Sequence, residues 1–318
     1  MGAAALLVLN RSAGTGHNER DAWGLAEALQ AGHGAGLDVE VAAVDSHPAA
    51  RQAAASFAAR AARPSLVVAA GGGGTLRAVV EGAMDAFPDP PGAETLRLAG
   101  LRMGSGNVIA RRLRVPLDPI QAARQVGEGF AQGRVGLCAV LRCSHGAAGG
   151  GTDVRHAVTM CGLGAWGRVP GDIARWRVRH AARRGGAARW IGLERVNAIE
   201  YLAFGTGRML AATVSAARCE MVELDGARRM RLLAAVALNL PVPPLPDPRV
   251  SLGDEAAGLT VVPRFGRPFR RRLEPGRGIT VRLLDRESVE FFLDEDPEVA
   301  YDWLKLDVAG CLAFVPGL

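Results

Sequence analysis

The feature that most constrains the fold is an apolar run that passes directly into four consecutive glycines. Residues Ser65 to Ala70 read as a buried β-strand, Gly71–Gly74 follow at once, and a helix is predicted from Thr75 to Ala86. Glycine lets a backbone approach a ligand closely. A helix that begins just after such a turn points its unpaired N–H groups at whatever lies there. The segment therefore predicts a strand, turn and helix of a parallel α/β sheet, with an anion site at the turn.

Two further turns follow predicted strands in the first part of the chain. The loop 10–16 follows the strand 4–10, and the loop 104–107 follows the strand 96–103. Because α/β sheets bind ligands at the carboxyl ends of their strands, we predict that the three turns bind a nucleotide. An ordinary tight connection is the alternative for each turn, and it stays open for the loop after Asn10. The predicted nucleotide-binding residues are Asn10, Ser12, Gly14, Gly71, Gly72, Gly73, Gly74, Thr75, Gly104, Ser105, Gly106 and Asn107.

The pattern of elements changes along the chain. Predicted strands and helices alternate at first, whereas strand-like runs dominate after residue 212. We therefore predict an α/β domain over residues 1–132, built on a parallel sheet with helices on both faces. Residues 133–305 are predicted to form a β-sandwich with a helical insert, and residues 306–318 a closing C-terminal strand.

Composition excludes several classes of protein. The chain has a formal net charge of +6, but Lys305 is its only lysine. A P-loop and a protein kinase each need a lysine at the phosphates, so neither fits. Five scattered cysteines without zinc-ligand spacing are typical of buried thiols in a reducing compartment. No apolar run is long enough to span a bilayer, and we expect a cytoplasmic protein.

Several motifs resemble those of the diacylglycerol and sphingosine lipid kinases. Residues 10–14 (NRSAG) resemble their N-P-x-S-G segment, and 71–82 (GGGGTLRAVVEG) their G-G-D-G-T-x-N-E-V-V-N-G segment. Residues 103–111 (MGSGNVIAR) resemble L-G-T-G-N-D-x-A-R, and 292–297 (FLDEDP) resemble the late D-G-E-P turn. The resemblance implies an N-terminal nucleotide domain, a C-terminal β-sandwich, ATP with Mg²⁺ as cofactors, and a lipid hydroxyl as the phosphoryl acceptor.

The chain departs from this family at acidic positions. Gly73 stands at the aspartate of G-G-D-G-T, Ala78 at the following glutamate, and Val108 at the aspartate after G-T-G-N. Asp294 and Asp296 remain at the last motif. Alternate residues of a strand end share a face, so we predict that these two are catalytic and could aim at one metal, a plain acidic turn being the alternative. The metal ligands themselves stay unknown.

Two other acids could replace the missing ones. They are Asp45 and Glu81. Glu81 lies two helical turns past Gly74, so we expect it to point away from the phosphates as a solvated helix residue.

Arginine-rich stretches with interleaved aromatic residues occupy residues 168–195 and 264–272. They suit an anionic membrane surface, a solvated arginine-rich face being the alternative, and no nucleic-acid-binding motif accompanies them. We expect peripheral association with the inner membrane surface and leave the oligomeric state open. Three functions follow from the resemblance: an ATP-dependent lipid kinase, a catalytically inactive homologue that binds nucleotide or lipid, and a small-metabolite or dinucleotide kinase.

Overall fold

The computed structural model divides the chain into two compact units. The first contains Met1–Val140 and Ala309–Leu318, and the second contains Leu141–Ser251 and Ala256–Val308. The structure describes residues 3–13, 19–34, 36–87, 89–103, 108–180, 187, 193–215, 218–238, 256–294 and 296–317.

The first unit is an α/β domain. Its elements in chain order are β1 (Ala3–Asn10), α1 (Glu19–His33), β2 (Leu37–Val44), α2 (His47–Arg60), β3 (Ser65–Gly71), α3 (Gly73–Ala86), β4 (Leu96–Arg102), α4 (Val108–Arg112) and α5 (Pro119–Ala131). The strands pair in parallel in the order β4–β3–β1–β2. Near the chain's end, Phe314 pairs with Leu98 of β4, also in parallel. The α/β class predicted for this region is confirmed.

Burial explains why the central strands and helices form. Every residue of β3 is buried, as expected for a parallel strand covered on both faces. Because parallel crossovers are right-handed, the reversal of direction between β1–α1–β2 and β2–α2–β3 places α1 and α2 on opposite faces of the sheet. Glycines allow close helix packing: a side chain at Gly82 would overlap the Arg51 carbonyl of α2, and one at Gly127 would overlap the Leu29 carbonyl of α1.

The second unit is rich in β-structure. Its elements are β5 (Gly136–Gly146), β6 (Thr152–Ala157), β7 (Met160–Gly164), α6 (Val169–Arg179), α7 (Leu193–Val214), β8 (Glu220–Leu224), β9 (Arg228–Leu238), β10 (Ala257–Pro263), β11 (Phe269–Leu273), β12 (Ile279–Leu283), β13 (Ser288–Leu293) and β14 (Asp296–Phe314). Two of these strands, β5 and β14, run past the division between the units.

The β-strands of this unit close into a barrel, so the predicted sandwich is wrong. Antiparallel pairing runs from β7 to β9, β8, β12, β14 and β13, and from β13 back to β7. The apolar interior includes Leu163, Leu224, Leu232, Val281 and Leu306. Strands with alternating apolar residues occur in sandwiches and in barrels, so this pattern does not distinguish the two architectures. The closure depends on pairing between strands far apart in sequence, such as β7 with β13.

Helices α6 and α7 of the second unit are joined by ion pairs. Asp172 of α6 accepts a hydrogen bond from Arg208 Nη2 of α7 at 2.7 Å, and Glu200 of α7 accepts one from Arg177 Nε of α6 at 2.7 Å. Burial alone would raise the pKa of Asp172, but hydrogen bonds from Arg208 and Arg175 outweigh it and lower this pKa. Among the described helices, none is both long and apolar enough to cross a membrane.

Glu220, at the start of β8 in the second unit, is a buried acid. Glu220 is 1% exposed, and its Oε1 lies 3.1 Å from Arg168 Nη2 and 3.5 Å from Arg286 Nη1. Burial raises the pKa of Glu220 by more than its hydrogen bonding and the two arginines lower it. The ionised carboxylate is therefore disfavoured by the fold.

Candidate nucleotide-binding site

The carboxyl ends of β1 and β3 meet at a topological switch point. These strands are neighbours, with β2 beyond β1 and β4 beyond β3. The chain leaves β1 toward one face of the sheet and leaves β3 toward the other, which opens a crevice between the two strand ends. Open α/β sheets bind their ligands in such a crevice. Asn10 and the glycine segment thus lie where this architecture places a ligand.

A buried hydrogen bond connects the two strand ends. Asn10 Nδ2 donates to Thr75 Oγ1 at 3.0 Å, and Asn10 Oδ1 accepts from the Ser12 backbone N–H at 3.0 Å. Asn10 is 5% exposed and Thr75 is 1% exposed. The bond holds the loop after β1 against the first turn of α3. Asn10 and Thr75 therefore fix the two strand ends that border the crevice. Their contact with a ligand stays a prediction.

The glycine segment forms the end of β3 and the start of α3. The helix begins at Gly73, two residues before the predicted Thr75. None of the four glycines has a positive φ, so the small residues at Gly71 and Gly74 are needed for space and not for a left-handed backbone. A side chain at Gly71 would overlap Thr75, and one at Gly74 would overlap the ring of His47.

The N-terminus of α3 is open. Gly72 is the N-cap residue, with φ −92° and ψ −172°, and no side chain caps the helix. A Cβ placed on Gly73 would meet no atom within 4 Å. The N–H groups of the first turn are thus left for another acceptor. Each contact between an anion and an exposed helix N-terminus contributes about 0.3–1 kcal/mol, so this terminus could bind an anion.

The chain after β2 places one residue beside the glycine segment that the sequence analysis missed, His47. His47 begins α2, directly beyond the carboxyl end of β2, and its ring packs against Gly74. Arg11 Nε donates to Asp45 Oδ1 at 2.7 Å, and Ser12 Oγ donates to the Asp45 carbonyl at 3.1 Å. The rule that ligands bind at strand ends applies to β2 as well, and it would have pointed to His47.

The other candidate acid of this unit has a structural role. Glu81 is 6% exposed and lies between Arg51 Nη1 at 3.1 Å and Arg77 Nη2 at 3.2 Å. The prediction of a solvated glutamate is wrong, because this side of α3 packs against α2. The predicted ligands Gly14, Gly104, Ser105, Gly106 and Asn107 lie outside the described residues.

The late acidic motif lies in the second unit as a hairpin. Asp294 occupies the turn after β13 with φ +60°, and Asp296 begins β14 opposite Leu293. Aspartate tolerates this left-handed conformation better than most residues. The expectation that both acids lie on one face of a single strand is wrong, because the chain reverses between them.

Asp294 holds a neighbouring turn together. Its carboxylate is 4% exposed and accepts hydrogen bonds from three backbone N–H groups, those of Val158 at 2.9 Å, Thr159 at 2.7 Å and Met160 at 3.1 Å. The Thr159 hydroxyl donates a fourth bond at 2.6 Å. These bonds make Asp294 the cap of the turn between β6 and β7. The catalytic roles of Asp294 and Asp296 stay predictions.

The described acids do not fit a magnesium site built by the protein. Mg²⁺ is held by oxygen ligands, usually one or two carboxylates with substrate phosphates and water. Within the described ranges, no three His, Cys, Asp or Glu side chains cluster closely enough to hold a metal. Asp45 is paired with Arg11, Glu81 with two arginines, and Asp294 with a backbone turn.

Taken together, the first unit is an α/β domain with an anion-ready crevice at its switch point, followed in the chain by a β-barrel unit. Many open α/β sheets bind nucleotides at this place. Residues 4–137 match the family model of the diacylglycerol kinase catalytic domain. The resemblance to the diacylglycerol and sphingosine kinase family is confirmed over these residues.

Solved structures share the fold. A diacylglycerol kinase from Bacillus anthracis str. Sterne is 16% identical, with a TM-score of 0.62, and the match covers 99% of this chain and 97% of that one. Yeast NADH kinase complexed with NADH is 10% identical, with a TM-score of 0.51, and the match covers 100% of this chain and 84% of that one. No curated protein sequence shows significant similarity to this chain.

Proposed function

We propose that the protein binds ATP at the carboxyl ends of β1 and β3 and is a lipid kinase of the diacylglycerol kinase type. The observation that carries the proposal is the uncapped N-terminus of α3, open beside Gly73 at the switch point. The family match over residues 4–137 supports the same assignment. The acceptor in this proposal is a lipid hydroxyl at an anionic membrane surface.

The protein's own groups perform three tasks in this proposal. Backbone N–H groups at the start of α3 bind the phosphates, which removes the need for a P-loop lysine. The Asn10–Thr75 bond fixes the position of this helix against β1. His47, the first residue of α2, packs against Gly74 in the first turn of α3 and closes the crevice on the β2 side.

A catalytically inactive homologue that binds nucleotide or lipid is the second candidate. Phosphoryl transfer requires carboxylates that hold Mg²⁺ and accept the proton of the acceptor. Gly73 offers no carboxylate at the phosphates, and Asp294 is committed to a backbone turn. Loss of a general base alone typically lowers a rate by about 10²–10⁴. These observations favour a weak or absent activity.

Two measurements test the proposal and separate the candidates. Isothermal titration calorimetry with ATP, with and without Mg²⁺, reports whether a nucleotide binds, and we expect binding. Radiolabelled phosphate transfer is then measured with diacylglycerol, sphingosine and NAD as acceptors. Transfer to a lipid supports the kinase, and binding without transfer supports the inactive homologue. Transfer to NAD alone supports a dinucleotide kinase. No ATP binding in either buffer contradicts the proposed site.

A further inference from the structure

One face of α7 exposes apolar side chains to solvent. Ile199 is 57% exposed, Leu202 58%, Leu210 62% and Val214 85%. They recur with helical spacing, and the exposed positions between them are also uncharged. The complete set of exposed α7 residues from 199 to 214 is Ile199, Leu202, Ala203, Thr206, Gly207, Leu210, Thr213 and Val214. We call this set the α7 outer face.

Two charged residues of α7, Glu200 and Arg208, point away from this face, toward the unit to which the helix belongs. Arg208 pairs with Asp172, and the buried Glu200 pairs with Arg177. Gly205 packs so closely on the Trp166 ring that a side chain there would overlap it. A surface helix normally turns its charged side to solvent, so the polarity of α7 is reversed. These contacts also prevent the helix from rolling to bury its outer face.

The apolar surface continues beyond the C-terminal end of α7 and is bordered by arginine. Arg264 Nη2 donates to the carbonyl of Thr213 at 3.1 Å, which holds the turn after β10 beside the α7 outer face. The next residue, Phe265, is 75% exposed, and the Arg264 guanidinium lies 5.0 Å from its ring centroid. Arg267 is exposed in the same turn.

We propose that the α7 outer face and Phe265 form the surface by which the protein docks on an anionic lipid bilayer. Apolar side chains of an interfacial helix lie at the boundary between headgroups and acyl chains. Arginines at the border bind lipid phosphates while their aliphatic stems stay among apolar groups. The positive border selects a negatively charged partner, and a bilayer supplies apolar depth beside that charge. The inference rests on the proposed lipid acceptor, which resides in such a bilayer.

Vesicle binding by charged variants tests the docking surface. The variants Leu202→Glu and Leu210→Glu place a carboxylate on the α7 outer face, and Leu117→Glu is the control, because Leu117 is 64% exposed in the first unit. Co-sedimentation uses vesicles of phosphatidylcholine mixed with phosphatidylglycerol, and vesicles of phosphatidylcholine alone. We expect each α7 variant to lose at least about tenfold in partition coefficient, because inserted leucine surface is replaced by charge. The control should bind like the wild type.

Further outcomes separate this inference from the proposed function. Unchanged melting temperatures and unchanged ATP binding in the α7 variants support a docking role that is independent of the nucleotide site. If the wild type binds no ATP, but its vesicle binding is lost in the α7 variants, the docking surface is supported and only the proposed function is contradicted. The docking surface is overturned if the wild type does not bind anionic vesicles. It is also overturned if the α7 variants bind them as tightly as the wild type. Light scattering that shows a dimer dissociated by the α7 variants, with normal vesicle binding, also overturns it.

Discussion

The substitution Gly73→Asp tests whether phosphates bind at the start of α3. A side chain at this position would enter open space, and the backbone is helical without a positive φ. Aspartate has a better helix propensity than glycine by about 0.3 kcal/mol. An acid in the first turn adds about 0.3–1 kcal/mol by its interaction with the helix dipole. We therefore expect the variant to be about 1 kcal/mol more stable, which urea unfolding measures.

The same carboxylate should weaken the binding of metal-free ATP. Two unit charges about 6 Å apart repel each other by roughly 0.7–2.8 kcal/mol between the dielectric limits of water and a protein surface. This energy corresponds to a loss of affinity of about 3- to 100-fold. Gly73→Asn is the matched control, since it has the same shape and no charge. Calorimetry in EDTA compares the two variants.

Added Mg²⁺ should reverse the difference. A carboxylate beside the phosphates can bind the metal directly or through water, so the Asp variant should then bind ATP at least as tightly as the Asn variant. A gain in lipid phosphorylation would identify a decayed kinase site. Equal affinities of the two variants for metal-free ATP would refute the reasoning, because the phosphates would then lie away from Gly73.

Four other substitutions give distinct outcomes. Gly72→Val should abolish ATP binding in calorimetry and keep the melting temperature, because the N-cap has an extended backbone that valine can adopt. Thr75→Val should leave the Asn10 amide without its acceptor and cost about 1–3 kcal/mol in urea unfolding. Asp294→Asn should destabilise the protein by about 1.5–3 kcal/mol, since a charged acceptor of several N–H groups is lost. Glu220→Gln removes the buried carboxyl, whose pKa is raised in the folded state. The wild type should therefore lose stability relative to this variant as the pH rises from about 4.3, the pKa of the carboxyl in the unfolded chain, through the raised pKa of the folded state.

Each of these expectations has an opposing result. ATP binding by Gly72→Val would place the nucleotide elsewhere. Full stability of Thr75→Val would make the Asn10 contact unimportant. A stable Asp294→Asn protein that loses phosphoryl transfer would show that the acid acts in chemistry and not in the turn. Urea midpoints of wild type and Glu220→Gln that change with pH in the same way would mean that folding does not raise the pKa of Glu220.

The sequence was sufficient to predict the α/β class of the first unit. The apolar runs of β1 and β3 end at polar or glycine residues, and parallel pairing follows from the alternation of strands and helices. The sequence places the start of α3 two residues too late, because glycine is a poor helix former and a run of glycines is typical of a turn. His47 was missed for a related reason: it carries no glycine motif and comes near Gly74 only through packing between α2 and α3.

The second unit was predicted less well, because its architecture depends on long-range contacts. Periodicity gives the strands but not their partners, and the closure of β7 onto β13 has no local signal. Glu81 shows the same limit for a single residue. Its position in the helix could be counted, but its burial between Arg51 and Arg77 depends on how α2 packs against α3.

The discontinuous first unit has a consequence for how the protein emerges from the ribosome. Its sheet includes Phe314 beside Leu98, and the Val315 N–H donates to the Leu98 carbonyl at 2.8 Å. Phe314 and Val315 are fully buried, yet they are synthesised after all of residues 141–308. At about 5–20 residues per second, the outer edge of β4 remains without this partner for roughly 10–40 s. During this interval the nascent domain presents an unpaired strand edge. Chaperones would protect the domain during the same interval.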